Sequence, residues 1–290
     1  MNKQTLTHII SIAILAVVTV VALLLLRKNI KIVVPHIEPP ETVQHFNIET
    51  DAPESETASD TTEETDEQTY ASEWILKETE PATVDYLEKI IFLGDRTIGR
   101  MTDYAIVELP HLTQQVWSCV DNISVARAID TENFLSPITN ELVSFQTALK
   151  ARRPQYLILT FGSYFDDDEI ATKESFINAY TQLIISLKTV SPNTQIIVQS
   201  ILPVGRNCSI ITANTIKERN GWLLEMCENN GIFYLDTWSA LSDSDGNLLI
   251  QYYNPDNIAE ANPDYCMNDV GYRKMVEYVR THVHPTYVFE

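Results

Sequence analysis

The residues best placed for chemistry in this 290-residue chain are Gly94-Asp95-Arg96-Thr97, directly after the apolar run Ile90-Ile91-Phe92-Leu93. A turn that leaves a strand and opens a helix presents free N–H groups, and a guanidinium beside them adds a bidentate clamp, so Arg96 is a candidate anion-binding residue. The plainer alternative pairs Arg96 with Asp95 or with Asp166. Thr97, Ser163 and Cys266 carry nucleophilic atoms, yet none has a base beside it in the sequence. The acidic run Asp166-Asp167-Asp168-Glu169 clusters the hard oxygens that calcium takes, although such a run before a helix also supplies an N-cap and a solvated first turn. Asp243-Ser244-Asp245-Gly246-Asn247 lacks the spacing of a calcium loop and reads as a turn. Cys119, Cys208, Cys227 and Cys266 contain no C-x-x-C pair, so neither a zinc cluster nor a redox dithiol is signalled. No cofactor and no metal is expected from these patterns.

Forty acidic against twenty basic residues give a net charge of -20, which disfavours nucleic acid as a partner because binding phosphates needs a cationic face. Polar and apolar residues are segregated along the chain. After a short tail at 1–5, residues 6–26 contain only Thr7, His8, Ser11 and Thr19 as polar positions, long enough for one transmembrane helix at about 1.5 Å per residue. The four leucines ending this stretch run straight into Arg27-Lys28 without a small-residue cleavage site, so an uncleaved anchor to the cell membrane is expected. The basic residues after the span favour a cytoplasmic C-terminal side, whereas long domains translocate regardless of nearby charge. A single-pass protein with an extracellular C-terminal domain is the expectation. Residues 27–80 are rich in Thr, Glu, Ser and Pro and too poor in apolar surface to fold, which makes them an acidic disordered linker.

From residue 81 to 290 the pattern is globular and α/β. Strand-like apolar runs fall at Ile90–Leu93, Val116–Val120, Tyr156–Phe161, Ile196–Val198 and Ile232–Leu235. Between and after them, Phe176, Ile177, Tyr180, Leu183, Ile184 and Leu187 recur at helical spacing, as do Ile216, Leu223, Leu224 and Cys227, and finally Tyr272, Met275, Val276 and Val279. The alternation predicts a five-stranded parallel sheet covered by helices on both faces. In such sheets ligands bind beyond the carboxyl ends of the strands, so the segments after each strand are the place to find a site.

Several segments, in this order, resemble the SGNH/GDSL hydrolases, and within them a membrane-anchored, Firmicutes-like subset. They are Ile91-Phe92-Leu93-Gly94-Asp95, Gln199-Ser200-Ile201-Leu202-Pro203-Val204, Tyr234-Leu235-Asp236, Asp245-Gly246-Asn247-Leu248, and Gly271-Tyr272 with Tyr278-Val279-Arg280-Thr281-His282. The resemblance covers about residues 84 to 284 and implies a flavodoxin-like three-layer sandwich with esterase or acyl-transfer chemistry on acylated glycans or lipids. It also implies a serine after Gly-Asp, a histidine before the last helix with an Asp near it, and an oxyanion site built from a glycine N–H and an asparagine side chain. This chain departs from that set. Gly94-Asp95 is followed at once by Arg96-Thr97, as if the serine were deleted; the second-block glycine falls near Asn122; and the third-block asparagine is Tyr164 in Gly162-Ser163-Tyr164. Alignment from Gly271-Tyr272 puts Cys266 at the histidine position, with Pro263 or a shifted Asp264 at the Asp position. His111 follows Pro110 in a helix-to-strand connection, and His282 and His284 lie beyond the last helix, about 15 Å from its N-terminal loop.

The resemblance and its departures lead to one expectation: a catalytically impaired, membrane-anchored surface protein that binds an anionic or acylated envelope glycan. No residue is assigned as catalytic. The motif-equivalent pocket positions are Asp95, Arg96, Thr97, Asn122, Gly162, Tyr164, Asp264 and Cys266. Alternatives are an active esterase with a rebuilt nucleophile and a structural partner in an envelope assembly.

Overall fold

The computed structural model describes residues 72–104, 106, 108–109, 111–129, 132–164, 172–254 and 267–289. The expected membrane span 6–26, most of the linker, the acidic run 166–169, and Pro263, Asp264 and Cys266 lie outside these residues. Among the described residues no helix is long and apolar enough to cross a membrane.

The elements follow one another as α1 (Val84–Glu88), β1 (Ile90–Gly94), α2 (Arg96–Gly99), α3 (Leu112–Gln115), β2 (Val116–Ser118), β3 (Phe134–Leu135), β4 (Leu142–Val143), α4 (Phe145–Arg152), β5 (Tyr156–Thr160), α5 (Lys173–Val190), β6 (Gln195–Gln199), α6 (Ala213–Asn230), β7 (Phe233–Leu235), α7 (Thr237–Leu241) and α8 (Asp269–Thr281). Five strands pair in parallel in the order β2-β1-β5-β6-β7, and β3 and β4 form a separate antiparallel hairpin. Numbered along the chain within the sheet, the order is 2-1-3-4-5, the flavodoxin-like winding, whose direction reverses between β1 and β5. The expected five-stranded α/β sheet is therefore present. Every residue of β1 and of β5 is buried, which is why these strands read as continuous apolar runs rather than as an alternation.

Helices cover both faces. The Tyr180 hydroxyl of α5 accepts from the Phe161 N–H (2.8 Å) and donates to the Phe161 carbonyl (3.1 Å), tying α5 to the end of β5. On the other face, Gln199 of β6 donates to Met275 Sδ of α8 (3.3 Å). The helices start where sequence provides a cap: Ser144 before α4, Thr172 with Ser175 before α5, Thr212 before α6 and Asn268 before α8 each accept a backbone N–H of the first turn. Gly231 ends α6 in the left-handed region at φ 64°, where a Cβ is unfavourable.

The folded unit begins before residue 81. Tyr234 N–H donates to the Trp74 carbonyl (2.8 Å) and Leu76 N–H to the Tyr234 carbonyl (2.9 Å), so residues 74–76 extend the sheet beside β7, and Leu76 is buried. Three consecutive apolar residues, Trp74-Ile75-Leu76, have enough surface to pack although the acidic composition around them reads as linker.

Candidate functional site

The winding reverses between β1 and β5, the point at whose carboxyl ends such sheets bind ligands in a crevice, and Asp95 is buried there, 1% exposed. β1 and β5 run in register from Ile90 with Tyr156 to Gly94 with Thr160. A Cβ on Gly94 would come within 2.3 Å of the Thr160 carbonyl oxygen, so the absence of a side chain at Gly94 lets the two strands end side by side. Asp95 N–H then donates to that carbonyl (3.1 Å) and its carboxylate turns inward. One oxygen accepts from the Thr97 N–H (3.0 Å) and the Thr97 hydroxyl (2.5 Å). The other accepts from the N–H groups of Gly162 (3.2 Å) and Ser163 (3.0 Å), 67 and 68 positions away in sequence. Four donors thus converge on an acceptor-only group. Gly162 has φ 131°, and a Cβ there would lie 2.5 Å from Ile201 Cδ1, so this loop geometry requires glycine.

Asp95 itself is the anion at the N-terminus of α2, which is a single turn. The expectation of a free helix N-terminus waiting for an anion is corrected: the N–H in question is bonded to Asp95. Arg96 is turned elsewhere, with Nη1 donating to the Val120 carbonyl (2.6 Å) on the loop after β2. It lines a small cavity of about 180 Å3 with Arg100, Thr102, Asp103, Ser118 and Cys119, in which Arg100 pairs with Asp103 at 3.0 Å. Thr97 is buried, and its carbonyl accepts from the Tyr272 hydroxyl of α8 (2.5 Å). Ser163 and Tyr164 are also buried. Asn122, aligned with an oxyanion-site glycine, is exposed on the loop following β2.

Cys119 has no counterpart among the positions predicted from sequence. It follows β2, is bridged to Phe134 of the hairpin, and is buried beside Arg96. Burial pushes its thiol well above the ordinary cysteine range, and the nearby Asp95 and Asp121 charges add to the effect. A protonated thiol is a weak nucleophile. In the sequence Cys119 sits inside the apolar strand run Val116–Val120 with no base beside it, so no signal singled it out.

No described histidine is hydrogen-bonded to Asp95, Thr97 or Ser163. His111 precedes α3, which leads into β2, and is exposed, as expected for a surface residue. His284 is buried at the amino-terminal edge of the sheet: its ring lies 5.5 Å from Tyr156, which opens β5, and 4.9 Å from Phe233. From Tyr156 to Thr160 the strand covers about 13 Å. His282 stacks on Tyr278 at 3.6 Å past the end of α8, a helix of 13 residues and so about 20 Å long. Burial lowers the affinity of both rings for a proton, bringing His284 down to about 4.

The turn Asp243–Asn247 is as expected. Asp243 Oδ1 accepts from the N–H groups of Asp245 (3.0 Å) and Asn247 (2.9 Å), and Gly246 takes φ 82°. Among the described residues no group of three or more His, Cys, Asp or Glu is placed to hold a metal ion.

Neither a protein-family model nor a curated protein matches the sequence. Solved structures do match. The chain is similar to GDSL-like hydrolases and acyltransferases. A G-D-S-L family protein from Desulfitobacterium hafniense aligns over 67% of this chain and 98% of its own, at 19% identity and TM-score 0.42. The periplasmic domain of a lipopolysaccharide acetyltransferase from Salmonella Paratyphi A aligns over 65% and 81%, at 14% identity and TM-score 0.44. A GDSL-like lipase from Bacteroides thetaiotaomicron aligns over 65% and 85%, at 10% identity and TM-score 0.43.

Proposed function

We propose that this protein is a membrane-anchored, SGNH/GDSL hydrolase-like surface protein that binds an anionic or acylated envelope glycan in the crevice without cleaving it. One observation carries the reading: the backbone donors that converge at the ends of β1 and β5 are taken by the carboxylate of Asp95. Donors engaged with a fixed anion cannot stabilise a developing oxyanion, and the two donor positions that the resemblance implies hold Asn122, exposed on its loop, and Tyr164, a buried phenol. Two further facts agree with it. The Thr97 hydroxyl is committed to the same carboxylate, whose lone pairs are already shared among backbone donors. The imidazoles of His282 and His284 bond Thr281 and Thr286, at and past the end of α8, so among the described residues no imidazole is bonded to Thr97, Ser163 or Cys119. The anionic part of the ligand would meet Arg96 and Arg100 at the 180 Å3 cavity, where the Ser118 and Thr102 side chains supply neutral polar contacts.

Calorimetric titration of the compact unit Asp66–Glu290 with uronate-containing glycan fragments tests this. Saturable heat that disappears in Arg96→Ala supports the reading, and no heat at millimolar ligand rejects it. A structural role in an envelope assembly is favoured by a different observation. Leu135, Ile138 and Leu142 of the β3–β4 hairpin, with Val120 beside it, are 49%, 61%, 54% and 47% exposed, a cluster of apolar surface of the kind that partners cover.

A further inference from the structure

Beyond the ends of β6 and β7, away from Asp95, two cavities adjoin each other and share Arg206. The first is polar, about 520 Å3, and is lined by Asn214, Lys217, Trp238, Asp245 and Asn247 among others. The second is apolar, about 450 Å3, and is lined chiefly by Leu248, Leu249, Ile250 and Tyr253. Each has the size of a small-molecule site.

Their chemistry differs in a way that specifies a ligand. At the boundary, Arg206 Nη2 donates to Asp243 (2.8 Å) and Asp245 (3.3 Å). Lys217 lies in the polar lining with Arg206 and Asp245, and Asp243, in the lining of the second cavity, pairs with Arg206; over the two cavities together these four charges cancel, which suits an uncharged hydrogen-bonding ligand. Trp238 is held there by its backbone N–H, which donates to Ser200 Oγ (2.7 Å). Its indole Nε1 is buried and has no hydrogen-bond partner among the described residues. A buried indole N–H normally finds an oxygen, so a bound molecule whose oxygen reaches Nε1 would satisfy a donor that the described residues leave unpaired. The amides of Asn214 and Asn247, the Asp245 carboxylate and the Arg206 guanidinium are planar groups with paired donors or acceptors, suited to adjacent hydroxyls on a ring. On the apolar side Ile250 is 81% exposed, an aliphatic side chain left in water at the lip of the second cavity. An alkyl chain laid against it would remove that surface from solvent.

We propose that the two cavities form one amphiphile site, which takes the sugar ring of an uncharged alkyl or acyl glycoside beside Trp238 and its chain along Leu248, Ile250 and Tyr253. The site shares no lining residue with the Arg96 cavity, so it stands or falls separately from the function proposed for the crevice.

The test is a calorimetric titration of the full-length protein in phosphatidylcholine nanodiscs, with empty discs subtracted, using methyl glucoside, hexyl glucoside and hexanol. Hexyl glucoside binds at least about tenfold more tightly than methyl glucoside, which is what burying two methylene groups amounts to. Ile250→Ser, at an exposed position, reduces this preference to less than about threefold. Asn214→Ala and Trp238→Phe weaken both glucosides, and Asn214→Ala serves alone if Trp238→Phe shifts the melting temperature. A glucosyl lipid added to the discs displaces hexyl glucoside if the natural source is lipid, and a soluble acylated oligosaccharide displaces it if the source is a polymer. Equal affinity for the two glucosides, an unchanged preference in Ile250→Ser, hexanol binding as tightly as hexyl glucoside, or displacement by neither competitor would overturn the proposal.

Discussion

Replacing Asp95 by Asn removes the charge at the centre of the crevice while keeping the shape of the side chain. Asp95 receives two donors on each oxygen, and it is buried. An amide has one acceptor oxygen. If that oxygen stays with Gly162 and Ser163, the new NH2 group faces Thr97. The Thr97 hydroxyl can turn to accept from it, but the Thr97 N–H has nowhere to go. Stripping one buried donor costs about 1–3 kcal/mol, and three charge-assisted hydrogen bonds that become neutral lose roughly 1 kcal/mol each at most. The sum places Asp95→Asn between about 1 and 6 kcal/mol of lost stability. Thr97→Val, which deletes a single donor to the same carboxylate, costs about 1–2 kcal/mol. The assay is urea unfolding of residues 66–290 followed by tryptophan fluorescence, with both variants compared at unchanged m-value. A loss below about 1 kcal/mol for Asp95→Asn, or one no greater than that of Thr97→Val, would refute the reasoning that Asp95 fastens β1 to β5.

Two further predictions concern groups away from the crevice. Tyr180→Phe leaves the buried Phe161 N–H without its acceptor and lowers stability by about 1–3 kcal/mol, measurable in the same unfolding experiment. His284, packed among Tyr86, Tyr156, Phe233 and Lys188, has its proton affinity lowered to about 4, first by burial and then by the Lys188 charge, and its Nδ1 accepts the Thr286 N–H (3.2 Å). The unfolded chain therefore takes up this proton at higher pH than the folded one. The contribution is fully present above about pH 6.5 and is lost as pH falls towards 4, amounting to about 2–3 kcal/mol. His284→Gln flattens the pH dependence of the melting temperature over that window; an unchanged slope would contradict the assignment.

The five sheet strands were legible because each is a short apolar run buried on both faces, and the long helices because α5, α6 and α8 keep their apolar stripes over 13 to 18 residues. The hairpin was not legible. Two residues in each of β3 and β4 are too few to show an alternation. The Gly94-Asp95 turn is legible as the centre of a site, yet its content is not. Its hydrogen-bond partners come from a segment 67 positions away, delivered by the pairing of Gly94 with Thr160, and no local spacing records that register. For the same reason the sequence leaves open an anion at the N–H groups that start α2, whereas Asp95 takes the Thr97 N–H and the Arg96 guanidinium donates to the Val120 carbonyl. The cavities beside Trp238 and Ile250 depend on two loops that meet only after β6 and β7 are paired.

The most direct test of a crevice that binds without turning over is hydrolysis of p-nitrophenyl acetate by the full-length protein. The account predicts release of nitrophenolate at the rate of buffer alone, unchanged in Thr97→Ala, Ser163→Ala, Cys119→Ala and Cys266→Ala. Protein-dependent release that any one of these substitutions abolishes would contradict it.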